Sequence, residues 1–219
     1  MLMALVLPHV LKDLSAASTY LNPELVKLDG VSWYWYHQMG SRSRILVIMI
    51  GGGIVLTNGE GVIVKGSYLL PFYYNGFDVL SIASNYMAQD LYYWYGKSTW
   101  VHGAAMWARS QGYTVHAMGA SAGSAILANM ATDSRYRDDF ATVILVSLVT
   151  ARFVNAPSTV TLPTLVIMGA REASGLLTAR LYYEAISSTR KEFHIIDTDH
   201  SGAAMSPETF QIASRWLVG

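Results

Sequence analysis

The stretch Tyr113-Thr-Val-His-Ala-Met-Gly-Ala-Ser121-Ala-Gly-Ser-Ala-Ile-Leu-Ala-Asn-Met130 decides the fold. An apolar, strand-like run, Tyr113–Met118, leads into Gly119-Ala120-Ser121-Ala122-Gly123, and a run of good helix formers, Ala122–Met130, leaves it. Strand, sharp turn and helix is the setting in which a serine sits on a strained elbow with its Oγ exposed. Gly119 and Gly123 flank a turn where a Cβ would meet neighbouring backbone, and the serine itself is expected to take an unfavourable φ/ψ.

Outward from this point, strand-like and helix-like segments alternate. Strands are expected at Val31–Met39 and Arg44–Ile50, joined through Gly40-Ser41, and at Phe77–Ala83, Tyr113–Met118, Phe140–Val149, Leu162–Met168 and Lys191–Asp197. Continuous apolar runs such as Ile45-Leu-Val-Ile-Met-Ile50 and Val143-Ile-Leu-Val146 suit strands buried on both faces of a parallel sheet. Helices are expected at Ser98–Gln111, Ala122–Ala131, Leu176–Ser188 and Pro207–Leu217, the last with Ser206 as N-cap and proline at its first position. This alternation predicts an α/β fold, a mostly parallel twisted sheet with helices on both faces. The 219 residues suffice for a single domain, 1–219, with 1–30 as a helical or irregular lead-in. Gly59–Gly76 is expected to form a short or irregular helix. Thr57-x-x-Glu60 there resembles a capping box, whereas three glycines and β-branched Val62-Ile-Val64 weaken helix formation.

Composition narrows the function. Formal net charge is zero and no basic run is present, so nucleic acid is not an expected partner. Hydrophobic residues make up 52% and charged residues only 14%, against about 25% in typical domains. That balance fits a well-buried core, or an apolar surface that meets a second subunit, as in a homodimer, or a lipid-like substrate. With no cysteine, a thiolate nucleophile, a thiolate metal site and a disulfide are excluded. No apolar run reaches the roughly 18 residues that span a bilayer, so no integral membrane segment is expected. The apolar Met1–Leu11 lacks a basic leader, which makes the cytoplasm the default location and leaves secretion open.

A serine needs a base to take its proton, and the base needs a third group to orient it. Of the six histidines, His200 lies in Asp197-Thr-Asp-His-Ser-Gly202, beyond the last expected strand, where an open α/β sheet binds its ligands. His116 and His194 fall inside strands and are expected to be hydrogen-bonded core residues. His9, His37 and His102 are expected to serve local structure. For the acid, no Asp or Glu occurs between Asp139 and Glu172. Glu172 follows Leu165–Arg171 at the carboxyl end of a strand, so it is the expected acid. Asp197 and Asp199 are its rivals, and a surface pairing of Glu172 with Arg171 or Arg180 is the structural alternative. Ile50-Gly51-Gly52-Gly53 supplies close-approaching backbone that could meet an oxyanion. A glycine-rich loop after a strand also suits phosphate, but no G-x-G-x-x-G and no Gly-Lys-Ser/Thr is present.

These motifs together resemble the α/β-hydrolase superfamily, esterase/lipase type, over about Val31–Gly219. Gly119-x-Ser121-x-Gly123 resembles its nucleophile elbow. Ile50-Gly-Gly-Gly53 resembles the HGGG oxyanion loop of hormone-sensitive-lipase-like esterases, with Ile50 in place of the histidine. Leu165–Glu172 resembles the acid-bearing segment, with glutamate in place of aspartate. Asp199-His200 resembles the catalytic-histidine loop, and the order Ser, acid, His is the superfamily's own. The resemblance implies Ser121, His200 and Glu172 as catalytic residues, and the N–H groups of Gly52, Gly53 and Ala122 as oxyanion hole. It implies a serine carboxylesterase acting on short- to medium-chain carboxylic esters through an acyl-enzyme, without cofactor or metal. Families with a cysteine nucleophile, such as dienelactone hydrolases, are excluded by composition. A lid-free lipase, a thioesterase, an acyltransferase or a binding protein on the same fold are the alternatives. The short segment after Val149 leaves no room for a large lid domain. Tyr86, Tyr92, Tyr93, Trp94, Tyr95 and Trp100 could wall an acyl pocket or form a packed helical layer.

Overall fold

The computed structural model describes residues 22–38, 43–50, 66–82, 97–148 and 156–219. Its strands are β1 (Glu24–Leu28), β2 (Val31–Tyr36), β3 (Arg44–Ile50), β4 (Asp78–Ile82), β5 (Thr114–Ala120), β6 (Thr142–Val146), β7 (Thr164–Gly169) and β8 (Lys191–Ile196). Its helices are α1 (Gly66–Tyr74), α2 (Ser98–Ser110), α3 (Ala122–Thr132), α4 (Ala173–Ala185), α5 (His200–Met205) and α6 (Pro207–Val218). The strands form one eight-stranded sheet in the order β1-β2-β4-β3-β5-β6-β7-β8. From β4 to β8 every pairing is parallel, whereas β2 runs antiparallel to both β1 and β4.

Why the centre of the sheet is apolar follows from its two coverings. Every residue of β4, β6 and β7 is buried, as parallel strands between helical layers must be. On one face Val47, Val115, Ala117, Val143, Leu145 and Val166 pack in one core with α2 and α3 residues such as Val101, Ala105 and Leu127. On the other face Leu46, Ile48, Met118, Ile144 and Ile167 pack with Leu69 and Phe72 of α1 and Phe210 and Trp216 of α6. The alternation of β5 thus sends Val115 and Ala117 one way and Met118 and Ala120 the other.

Two sequence expectations change, and the sheet order adds a third finding. The lead-in 1–30 is not helical or irregular throughout: Glu24–Leu28 is strand β1. It turns into β2 through Asp29 and Gly30, both at positive φ (48° and 81°), with Leu28 paired to Val31. Two such residues form the two-residue turn that matches strand twist. The expected strands Val31–Met39 and Arg44–Ile50, though consecutive, are not neighbours, because β4 lies between β2 and β3. A six-residue helix, α5, begins at His200 where a loop was expected. Within Gly59–Gly76, Gly66–Tyr74 is helical and contains Pro71, while Thr57, Glu60 and Val62–Val64 lie outside the described residues. The connection from β6 to β7 runs only from Ser147 to Pro163, too short for a lid domain.

Candidate active site

Ser121 sits between β5 and α3 with φ 54° and ψ −119°, a conformation that costs a non-glycine residue free energy. The elbow is held from both sides. The Ser121 N–H donates to the Val146 carbonyl at 3.0 Å, and the Ser121 carbonyl accepts from the N–H and Oγ of Ser124 at 3.0 and 2.6 Å. A Cβ on Gly119 would run into the Gly123 carbonyl and come within 2.7 Å of the Ser124 nitrogen. Glycine is therefore required there to let the helix start so close to the strand.

His200 enters from the far edge. Asp199, the N-cap of α5, accepts a hydrogen bond from the Gly202 N–H at 2.7 Å. Gly169 lets this loop lie on the end of β7, since a Cβ there would approach the Thr198 and Asp199 carbonyls at 2.6 and 2.7 Å. His200 Nε2 then lies 2.9 Å from Ser121 Oγ, and its Nδ1 lies 2.7 Å from Glu172 Oε2. An ionised carboxylate only accepts. Nδ1 therefore carries the proton given to Glu172, and Nε2 is free to accept from the serine hydroxyl.

Glu172 is anchored by its other oxygen. Oε1 accepts the Gly169 N–H at 2.7 Å and the Ser147 hydroxyl at 2.8 Å. Its side chain is 5% exposed, against 39% for His200. Burial pushes the Glu172 carboxyl up, but hydrogen bonds from His200, Gly169 and Ser147 outweigh it and hold it below the ordinary carboxylate range. For His200 the hydrogen bond to Glu172 is the largest influence and raises its pKa, against burial, with the charges of Glu172 and Asp199 helping.

The structure thus brings together Ser121, His200 and Glu172, and does not bring the rival acids to the imidazole. Asp197 is 90% exposed and pairs with Arg171 at 3.2 Å. Asp199 is spent on the α5 cap. Nor does Glu172 pair with Arg171 or Arg180, the latter lying 4.3 Å over the Phe193 ring. Ala122 is the first residue of α3, so its N–H has no acceptor within the helix. Gly52 and Gly53 lie outside the described residues, as do Tyr86 and Tyr92–Tyr95. Trp100, on α2, packs against the core beneath that helix.

The other histidines are placed elsewhere. His37 bonds Glu24 and His102 bonds Asp139, while His9 lies outside the described residues. His194 is hydrogen-bonded, to Glu192, but it is not the core residue expected: its side chain is 38% exposed on the edge strand β8. His116 is buried, but the expectation of a hydrogen-bonded core residue fails: neither ring nitrogen has a partner among the described residues. Phe77 is set edge-on to it at 5.5 Å, and that ring in turn carries the Arg44 guanidinium at 4.3 Å. Ser147 was missed by sequence reasoning. Its only cue is a lone hydroxyl closing the apolar run Val143–Val146.

No protein-family model matches the chain, and no curated protein matches it in sequence. Solved structures do match in shape. A dienelactone hydrolase of Anabaena variabilis superposes with a TM-score of 0.69 at 18% identity, covering 90% of this chain and 95% of that one. Esterase 2 of Thermogutta terrifontis gives 0.66 at 16% identity, covering 91% and 92%. An esterase of Pyrococcus furiosus gives 0.64 at 11%, covering 90% and 93%. At such identities the likeness is one of fold. With the eight-stranded, mostly parallel sheet, its helical layers and the short β6–β7 connection, it shows that this chain has the α/β-hydrolase fold without a large lid.

Proposed function

We propose that the chain is a serine hydrolase, a carboxylesterase that cleaves short- to medium-chain carboxylic esters through an acyl-enzyme, working as a single domain. The observation that carries this reading is the continuous hydrogen-bonded relay from Ser121 through His200 to Glu172 on a strained elbow.

In this mechanism Ser121 Oγ attacks the ester carbonyl carbon while its proton passes to His200 Nε2. The carbonyl oxygen becomes an oxyanion, met by the N–H of Ala122 and by those of Gly52 and Gly53. Such preorganised donors are worth about 3 kcal/mol each in comparable sites. Collapse of the tetrahedral intermediate expels the alcohol, which takes the proton back from Nε2 and leaves Ser121 acylated. Water then attacks the acyl carbon with His200 as base, releasing the carboxylic acid and restoring the serine. Glu172 stays ionised and stabilises the imidazolium formed in each step. The Thermogutta esterase with the same fold is a protein phosphorylated by paraoxon, which supports a phosphonate-sensitive serine here.

The test is turnover of a series of p-nitrophenyl esters of increasing acyl length by the parent and by Ser121→Ala. The reading expects hydrolysis of the shorter esters and its loss in Ser121→Ala with little change in Tm. Equal turnover by the two proteins overturns it.

A further inference from the structure

Ser147 lies immediately beyond β6 and is fully buried, with φ 47°. Its N–H continues the ladder to the Ile167 carbonyl of β7 at 2.8 Å. Backbone demands alone favour glycine there, because a Cβ is strained at positive φ. The side chain has a different use. Its Oγ lies 2.8 Å from Glu172 Oε1 and 3.0 Å from the main-chain carbonyl of His200. A hydroxyl has one proton to give, and the charged carboxylate is the nearer and stronger acceptor. With the Gly169 N–H it fills Oε1 and leaves Oε2 to the imidazole. Glu172 is the N-cap of α4 and reaches His200 across the loop after β7. Without a fixed second oxygen its carboxylate could rotate about its terminal torsion, which is broad and weakly restrained.

We infer that Ser147 is a positioning residue that locks the Glu172 carboxylate in the rotation that serves His200. This inference rests on the proposed Ser121–His200–Glu172 relay. Ser147 touches no reacting atom, and its effect passes through Glu172.

The experiment compares Ser147→Gly and Ser147→Ala with the parent and with Glu172→Gln, measuring kcat, KM, the acidic limb of kcat/KM and Tm on a p-nitrophenyl ester. Ser147→Ala removes the hydroxyl and keeps the Cβ that the parent already carries at positive φ, whereas Ser147→Gly removes the hydroxyl and relieves that strain, so a shared loss in both is not a backbone effect. Expected in both is a fall in kcat of about tenfold, the low end of what a hydrogen bond to a charged group is worth. KM should stay within about twofold, and the acidic limb should move to lower pH as His200 loses part of its carboxylate support. Folded Ser147→Gly with parental kcat and limb, or an effect confined to Tm, overturns the role of Ser147. If Glu172→Gln collapses while Ser147→Gly is silent, only this inference fails. If Glu172→Gln is harmless, the relay fails and takes Ser147 with it.

Discussion

Acidification should destabilise this fold through a histidine that takes no part in the relay. His116 is 8% exposed in the middle of the sheet, edge-on to Phe77 and without a hydrogen-bond partner among the described residues. Burial, and then the guanidinium charges of Arg44 and Arg190, push its pKa down from 6.5 to about 4. Between those values the unfolded chain binds a proton that the folded chain refuses. Stability contributed by the neutral ring is therefore complete above about pH 6.5 and is lost as pH falls toward 4. At roughly 1.4 kcal/mol per pH unit the interval amounts to about 3 kcal/mol, a large part of the 5–15 kcal/mol that holds typical domains folded. Urea unfolding of the parent and of His116→Leu at half-unit steps from pH 7 to pH 4 isolates the effect, because every other titrating group is common to both. The parent should lose about 3 kcal/mol relative to the variant across the series. A difference that stays constant with pH refutes the reasoning, since His116 would then bind its proton equally in both states.

Two further outcomes concern the relay. Turnover should fall on the order of 10⁴-fold in Glu172→Gln, as when a triad acid is neutralised, and stay within a few-fold of the parent in Asp197→Asn, whose side chain faces solvent; collapse in Asp197→Asn with a silent Glu172→Gln reverses the assignment. The acidic limb of kcat/KM should lie above the ordinary imidazole value of about 6.5, because the hydrogen bond to Glu172 raises the His200 pKa, and a pH–rate profile with its limb at or below that value contradicts it.

How much was legible in the sequence follows the range of the interactions. Buried strands announce themselves as continuous apolar runs, so Arg44–Ile50 and the cores of β4 to β8 could be read locally, with ends shifted by a few residues. The elbow was legible because three small residues in a fixed spacing answer a local steric demand, seen in the crowding around Gly119. Strand β1 was overlooked because it is only five residues long and its apolar Leu25 faces solvent, so Val26 and Leu28 alone mark the inward face; the readable signal was Asp29-Gly30, a turn dipeptide between two extended segments. Helix α5 is too short for periodicity to show, and its cue was the cap spacing from Asp199 to Gly202. Glu172 could be reached by elimination from the acid-free stretch before it. Ser147 could not, because its partners lie 25 and 53 residues away. His116 misled for the same reason: a strand position implies burial but says nothing of what faces the ring.

The central claim is that Ser121 is the nucleophile activated by His200. Its most direct test is a fluorophosphonate label followed by peptide mapping of the intact protein and of His200→Ala. A phosphonate forms its adduct only on a serine whose oxygen is made nucleophilic. A single adduct is expected on the peptide carrying Ser121, formed rapidly in the parent and suppressed in His200→Ala. An adduct on another serine, or labelling of Ser121 at the same rate without His200, contradicts it.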